Sequence, residues 1–193
     1  MTDDNFKFTR TFQKLVAGKN ISEVTLLATD YLNHFNEIVM LLEMVPDMPE
    51  CLEDAKEWKP KTYAEHFRDS AFSDKELAIE AYEHSPAEYK TPFDRTTDEI
   101  NAMVAEGITA IEAVLATNDN GFIRETVTTT TQEIQKRMDR SNAIIHGQYK
   151  EAGEEDAVEA PKPSTEVASD APVPAEESAE TMSQEEIDKL LAM

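Results

Sequence analysis

Two long runs of apolar residues at helical spacing, separated by a four-residue turn signal, constrain this chain more than any other feature. In the first run Ile100, Met103, Val104, Ile108, Ile111 and Leu115 fall three or four positions apart, on one stripe of a helix. In the second, Phe122, Ile123, Val127, Ile134, Met138 and Ile145 do the same. Between them stands Asn118-Asp119-Asn120-Gly121, a turn by composition. The pattern predicts a helix over 97–117 and another over 122–149, which together make an antiparallel hairpin. A third stripe follows Ser22: Val24, Leu27, Tyr31, Phe35, Ile38 and Leu42 predict a helix over 22–44 that Pro46 and Pro49 end. Phe8, Phe12, Leu15 and Val16 mark a short first helix before Gly18 and Asn20. The fold class expected is all-α, a helical bundle built on a long antiparallel helical hairpin. Its fourth helix comes from the first segment or from a second chain, so a homodimer is one way to complete it.

Residues 46–94 hold five of the nine prolines, Trp58 and three of the five tyrosines. So many aromatic side chains do not suit a disordered linker. Short helices are expected over 50–58, 62–69 and 74–84, the last opened by a capping box of Ser73 and Glu76. They form an ordered connection that packs on the long helices or covers a site between them. Within the last long helix, Val127-Thr128-Thr129-Thr130-Thr131 is a β-branched run of poor helix propensity. Either packing overrides propensity while the hydroxyls bond back to the preceding turn, or the run is a polar, close-approach surface beside Gln132 and Gln135.

Beyond residue 150 the composition changes. Residues 151–181 are rich in Glu, Asp, Ala, Pro, Ser and Val and contain no aromatic residue, which predicts a disordered acidic linker. Residues 151–193 carry 13 acidic and 2 basic side chains, half of the chain's formal charge of −22. Three parts result: a helical bundle domain over 1–150, the linker over 151–181 and a terminal segment over 182–193. A linker of this length spans on the order of 30 Å and holds a tethered partner at an effective concentration of about 1 mM. With 40 acidic and 18 basic residues, nucleic acid and anionic membrane are excluded as partners by like-charge repulsion. A single cysteine, Cys51, and an acidic start without an apolar run of signal or membrane length predict a cytoplasmic protein.

The terminal segment reads as a recognition helix. Ser183 and Glu186 have capping-box spacing, and Met182 and Ile187 occupy the two positions of a hydrophobic staple. Ile187, Leu190 and Leu191 form one apolar stripe, with Asp188 on another face. A helix this short is marginal alone, so it is expected to gain order in a partner's groove. Ser183-Gln184-Glu185-Glu186-Ile187-Asp188-Lys189-Leu190-Leu191 resembles the peptide with which the flagellar switch proteins FliM and FliY bind the phosphorylated chemotaxis regulator CheY. The position of the segment, after an acidic linker on a helical chain, is similar to that in the CheZ phosphatases.

The resemblance implies a chemotaxis and flagellar-motility protein that binds a CheY-type response regulator through Met182, Ser183, Glu186, Ile187, Asp188, Leu190 and Leu191. It also implies hydrolysis of the regulator's aspartyl phosphate by an amide that orients water, without a cofactor of the chain's own, since Mg comes with the regulator. In the CheZ family the amide is a helical Gln with an Asp four residues before it. The comparable residues here are Gln132 and Gln135, preceded four residues earlier by Thr128 and Thr131. Other phosphatases of such regulators use an acid and an amide three apart, a spacing met by Asp30/Asn33, Asp98/Asn101 and Asp139/Asn142. A non-catalytic adaptor that sequesters the regulator, or delivers it to the flagellar motor, remains the alternative. A phosphotransfer domain using His34 or His146 is a third reading.

Overall fold

The computed structural model describes residues 3–148, among which there are seven α-helices and no strand. The protein is all-helical in this region. In order the helices are α1 (Asp3–Leu15), α2 (Asn33–Met44), α3 (Cys51–Glu57), α4 (Tyr63–Asp69), α5 (Lys75–Glu83), α6 (Ala87–Leu115) and α7 (Asn120–Ile145). The linker over 151–181 and the segment over 182–193 lie outside the described residues.

Most positions of the expected stripes are buried on the two longest helices, but Phe122, the first of the second stripe, is 49% exposed. Ile100, Val104 and Ile111 of α6 and Ile123, Val127, Ile134, Met138 and Ile145 of α7 are all buried. Arg137 of α7 pairs with Glu99 of α6 at 3.4 Å, and Thr130 lies against Gly107 nearer the turn. The higher-numbered contact on one helix thus meets the lower-numbered one on the other, which makes the pair antiparallel. At Gly107 a Cβ would overlap the γ-methyl of Thr130, so this glycine allows a close approach of the helices. Of the two readings of the β-branched run, packing with back-bonding is the one these contacts match, since Thr130 meets Gly107 through its methyl group. Thr126 and Thr131 bond back to the carbonyls of Phe122 (2.9 Å) and Thr128 (3.3 Å), while Thr130 forms the contact with α6.

Four boundaries differ from expectation, the first being the end of α7, at Ile145 and not near 149. The turn between α6 and α7 sits over 116–119, with Asn118 at φ +55 and Asp119 capping α7 by accepting from Gly121 N–H (3.0 Å) and Phe122 N–H (3.1 Å). Helix α6 begins ten residues before Thr97 and runs through Pro92. Pro92 and Phe93 are buried, and the Tyr82 hydroxyl donates to Asp94 at 2.7 Å, so packing holds a turn that proline disfavours. Helix α5 starts at Lys75, which leaves Glu76 one position too early for a box with Ser73, and Asp74 pairs instead with Lys19 at 2.7 Å. The capping box present is Thr62 with Glu65, at the start of α4.

The largest correction concerns residues 22–32, which are not the first half of a long helix. Leu26 takes a left-handed conformation at φ +60, and a 3-10 helix, Thr29–Leu32, leads into α2. The apolar stripe is buried at Leu27, Tyr31, Phe35, Ile38 and Leu42, but its first member, Val24, is exposed. What defeats the helix is competition for its backbone groups. The buried Thr25 hydroxyl donates to Ile145 O at 2.6 Å at the end of α7, Ser85 donates to Thr25 O at 2.6 Å, and Ala28 N–H donates to the Tyr63 hydroxyl at 2.9 Å. Buried polar backbone must be satisfied, and here side chains of other elements do it.

Residues 46–94 are an ordered connection. Tyr63, Phe67, Ala78 and Ala81 enter the core, and the Tyr31 ring lies 5.3 Å from Tyr63 and 5.6 Å from both Phe35 and Phe93. Helix α1 docks by Phe12, whose ring stacks on His84 at 4.5 Å.

Two outcomes are expected in urea unfolding. Thr25→Val leaves the Ile145 carbonyl and the Leu27 N–H without their hydroxyl partner and lowers stability by about 1–3 kcal/mol. Gly107→Ala overpacks the α6–α7 contact at a cost of about 1–3 kcal/mol, and adding Thr130→Ser, which removes the γ-methyl, recovers most of the loss. Independent, additive effects of the two substitutions would contradict the contact.

Candidate functional site

Gln132, Gln135, Asp139 and Asn142 follow one another at intervals of three, four and three along α7, and so share a stripe. All four are exposed, while Thr131, Ile134, Met138 and Ser141 form the buried face next to them. The stripe is convex and clear of the core. On it the Gln135 amide donates from Nε2 to Asp139 Oδ1 at 3.0 Å, so a carboxylate holds an amide one helical turn away. The amide retains its oxygen as an acceptor and the carboxylate its other oxygen. Lys136 flanks the stripe and pairs with Glu133, while Arg137, on the far side of the helix, pairs with Glu99. The pair combines acid and amide one turn apart, with the amide preceding the acid in sequence.

Asp30 and Asn33 also meet, but not on a common α-helix, because Asp30 lies in the 3-10 turn and Asn33 opens α2. The Asn33 amide donates to Asp30 Oδ1 at 3.1 Å, and His66 Nε2 lies 3.9 Å from Asp30 Oδ2. This carboxylate is engaged from two sides by its own chain.

The third pair, Asp98 and Asn101, lines a concavity of about 230 Å³ together with Tyr31, Lys61, Tyr82 and Asp94. Burial raises the Asp94 carboxyl above the usual carboxylate range, while the Tyr82 hydroxyl and Lys90 act in the other direction. The Asn101 carbonyl oxygen is enclosed without a hydrogen-bond partner. Sequence spacing could not have found the Tyr82–Asp94 bond, because the two residues sit on different helices that the unexpected start of α6 brings together.

The histidines divide by burial. His34 is only 4% exposed, stacks on Trp58 at 4.5 Å and accepts the Lys61 N–H on Nε2 at 3.1 Å. That nitrogen is the one a phosphoryl group or a proton would need. Burial, and then the proximity of His66 and Lys61, lower its pKa to about 4. His66 is shifted the same way by burial, with Asp30 opposing. His146 is exposed just past the end of α7.

The geometry separates two kinds of chemistry. A concave site, such as that of Asp98 and Asn101, takes a small ligand. An exposed helical stripe can enter another protein's active site, which a buried group cannot. Of the acid and amide groups singled out, Asn33 and Asp98 are exposed too, but α7 carries four such exposed groups in one row. The residues of the terminal recognition helix, Met182, Ser183, Glu186, Ile187, Asp188, Leu190 and Leu191, lie outside the described residues. Among the described residues no three His, Cys, Asp or Glu side chains are grouped to hold a metal ion, and no helix is long and apolar enough to cross a membrane. No family model matches the chain, and no curated protein or solved structure matches it either.

The His34 environment has a pH signature. Its folded pKa lies below the unfolded value of 6.5, so the unfolded chain takes up the proton first. His34 therefore contributes stability above about pH 6.5 that is lost as the pH falls towards 4. Stability measured against a His34→Gln variant should show the difference declining over that window. A difference constant through the window would mean that His34 is not held neutral.

Proposed function

We propose that this chain is a chemotaxis regulator that captures a phosphorylated CheY-type response regulator and promotes its dephosphorylation. Residues 182–193 fold as a helix in the regulator's groove. The acidic linker over 151–181 tethers the captured regulator to a helical bundle built on the α6–α7 hairpin. The exposed α7 stripe then reaches the phosphoryl site. There an amide, Gln135 or Gln132, orients water in line with phosphorus while the regulator's own Mg neutralises the phosphoryl oxygens. The observation that carries this reading is the Gln135–Asp139 pair, an amide steadied by a carboxylate on a helix face free to enter a partner. The similarity of residues 183–191 to the CheY-binding peptides supplies the partner class.

One observation favours the non-catalytic adaptor instead: Thr128 and Thr131 stand where the CheZ family has an acid four residues before its glutamine. The two readings part in a phosphate-release assay with a phosphorylated CheY-type regulator. If the chain is a phosphatase, the full-length protein accelerates release and Gln135→Ala or Gln132→Ala lowers the acceleration about tenfold or more. Binding without acceleration leaves the adaptor. In calorimetry Ile187→Ala with Leu190→Ala should weaken the complex by about 1.5–3 kcal/mol per side chain. Unchanged affinity removes the terminal helix from the interface, and with it both readings.

A further inference from the structure

Of the six large hydrophobic residues exposed among those described, three are methionines on one ridge: Met40 (62% exposed), Met44 (38%) and Met48 (39%). Met40 and Met44 sit one turn apart on α2. Past its end the chain makes one further turn, in which Met48 N–H donates to Met44 O at 2.8 Å. The opposite side of this segment, at Phe35, Ile38, Leu42 and Val45, is fully buried, so the ridge has a rigid base. It extends over about 12 Å, two helical turns. Methionine is suited to such a surface because its unbranched, polarizable side chain adapts to different apolar partners.

The charge around the ridge has one sign. From residue 33 to residue 54 the chain has six acidic residues, Glu37, Glu43, Asp47, Glu50, Glu53 and Asp54, and no Lys or Arg. All six are exposed. Arg124 of α7 answers Asp47, and Lys56 answers Glu53.

We infer that this ridge is a docking surface for a basic amphipathic helix of a partner protein. The partner's apolar stripe lies along Met40, Met44 and Met48, and its Lys or Arg side chains meet the acidic rim. Charge decides between this occupant and the alternatives. A second copy of the chain would oppose Glu43 and Asp47 to themselves, and the chain's own segment over 182–193 would bring Glu185, Glu186 and Asp188 to an acidic rim. The surface does not depend on the proposed phosphatase or adaptor role, and involves neither the α7 stripe nor the terminal segment.

Fluorescence anisotropy of the full chain with three labelled peptides of about 20 residues tests the inference: an amphipathic Leu/Lys helix, its Leu/Glu counterpart, and oligolysine as a control for charge alone. The Leu/Lys helix should bind, and Met40→Ser, Met44→Ser and Met48→Ser together should weaken it about tenfold or more while leaving oligolysine unaffected. Because the methionines are exposed, circular dichroism should be unchanged. Glu43→Lys with Glu50→Lys, which leaves the ridge intact, should also weaken the Leu/Lys helix and reduce its salt dependence. Equal affinity of the methionine variant and the natural chain, equal affinity of the charge variant, or preference for the Leu/Glu helix overturns the inference. So does a dimer in sedimentation that the methionine substitutions dissociate, which would assign the ridge to a second copy.

Discussion

Buried backbone that is neither helix nor sheet is the constraint around which this protein is arranged. The stretch from Thr25 to Ala28 passes through the core, with Thr25, Leu26 and Leu27 inaccessible to solvent. An unpaired amide or carbonyl there costs as much as a lost hydrogen bond or more. Thr25 supplies one solution twice over, donating to Ile145 O and accepting from Leu27 N–H, while Ser85 and Tyr63 supply two more. These bonds join the end of α7, the approach to α6 and the start of α4 to one segment. They also hold Leu26 in its left-handed conformation, a state that a leucine does not adopt without such support.

Against that fixed end, the hairpin is brought close at Gly107 and Thr130. A β-branched residue is a poor helix former, but its stiff side chain makes a defined contact with a helix that lacks a Cβ. The propensity lost in the threonine run is offset by tertiary packing. One consequence bears on the proposed function. A helix buried along Ile134 and Met138 and braced at both ends presents the adjoining face, with Gln132, Gln135, Asp139 and Asn142, as a firm convex surface. A group that must enter another protein's active site needs such support, because small displacements of a positioning residue cost rate.

The candidate residues were legible to different degrees for physical reasons. Gln135 and Asp139 are one turn apart on a strongly periodic helix, so their shared face follows from spacing alone. Asp30 and Asn33 also meet, yet through a 3-10 turn that periodicity does not distinguish from an α-helix. Asp98 and Asn101 face a concavity whose other walls come from residues far away in the chain, Tyr31, Lys61 and Tyr82. The Thr62/Glu65 capping box has the same spacing as the Ser73/Glu76 pair. Only the helix start, shifted by one residue in α5, separates the box that forms from the one that does not.

By itself the sequence determined that the described residues are helical, where most buried positions of α6 and α7 fall, and where α6 gives way to α7 to within two residues, because those features depend on local periodicity and turn chemistry. It likewise placed the aromatic segment over 46–94 among ordered residues. Tertiary structure alone decided that residues 22–32 leave the helix, that α6 runs through Pro92, and that His34 is neutral inside a stack with Trp58. In each of these, a partner distant in sequence overrides the local preference. Ile145 draws the Thr25 hydroxyl, Tyr82 pins Asp94, and Lys61 occupies the imidazole nitrogen. Such bonds have no period, and only the folded chain brings their ends together.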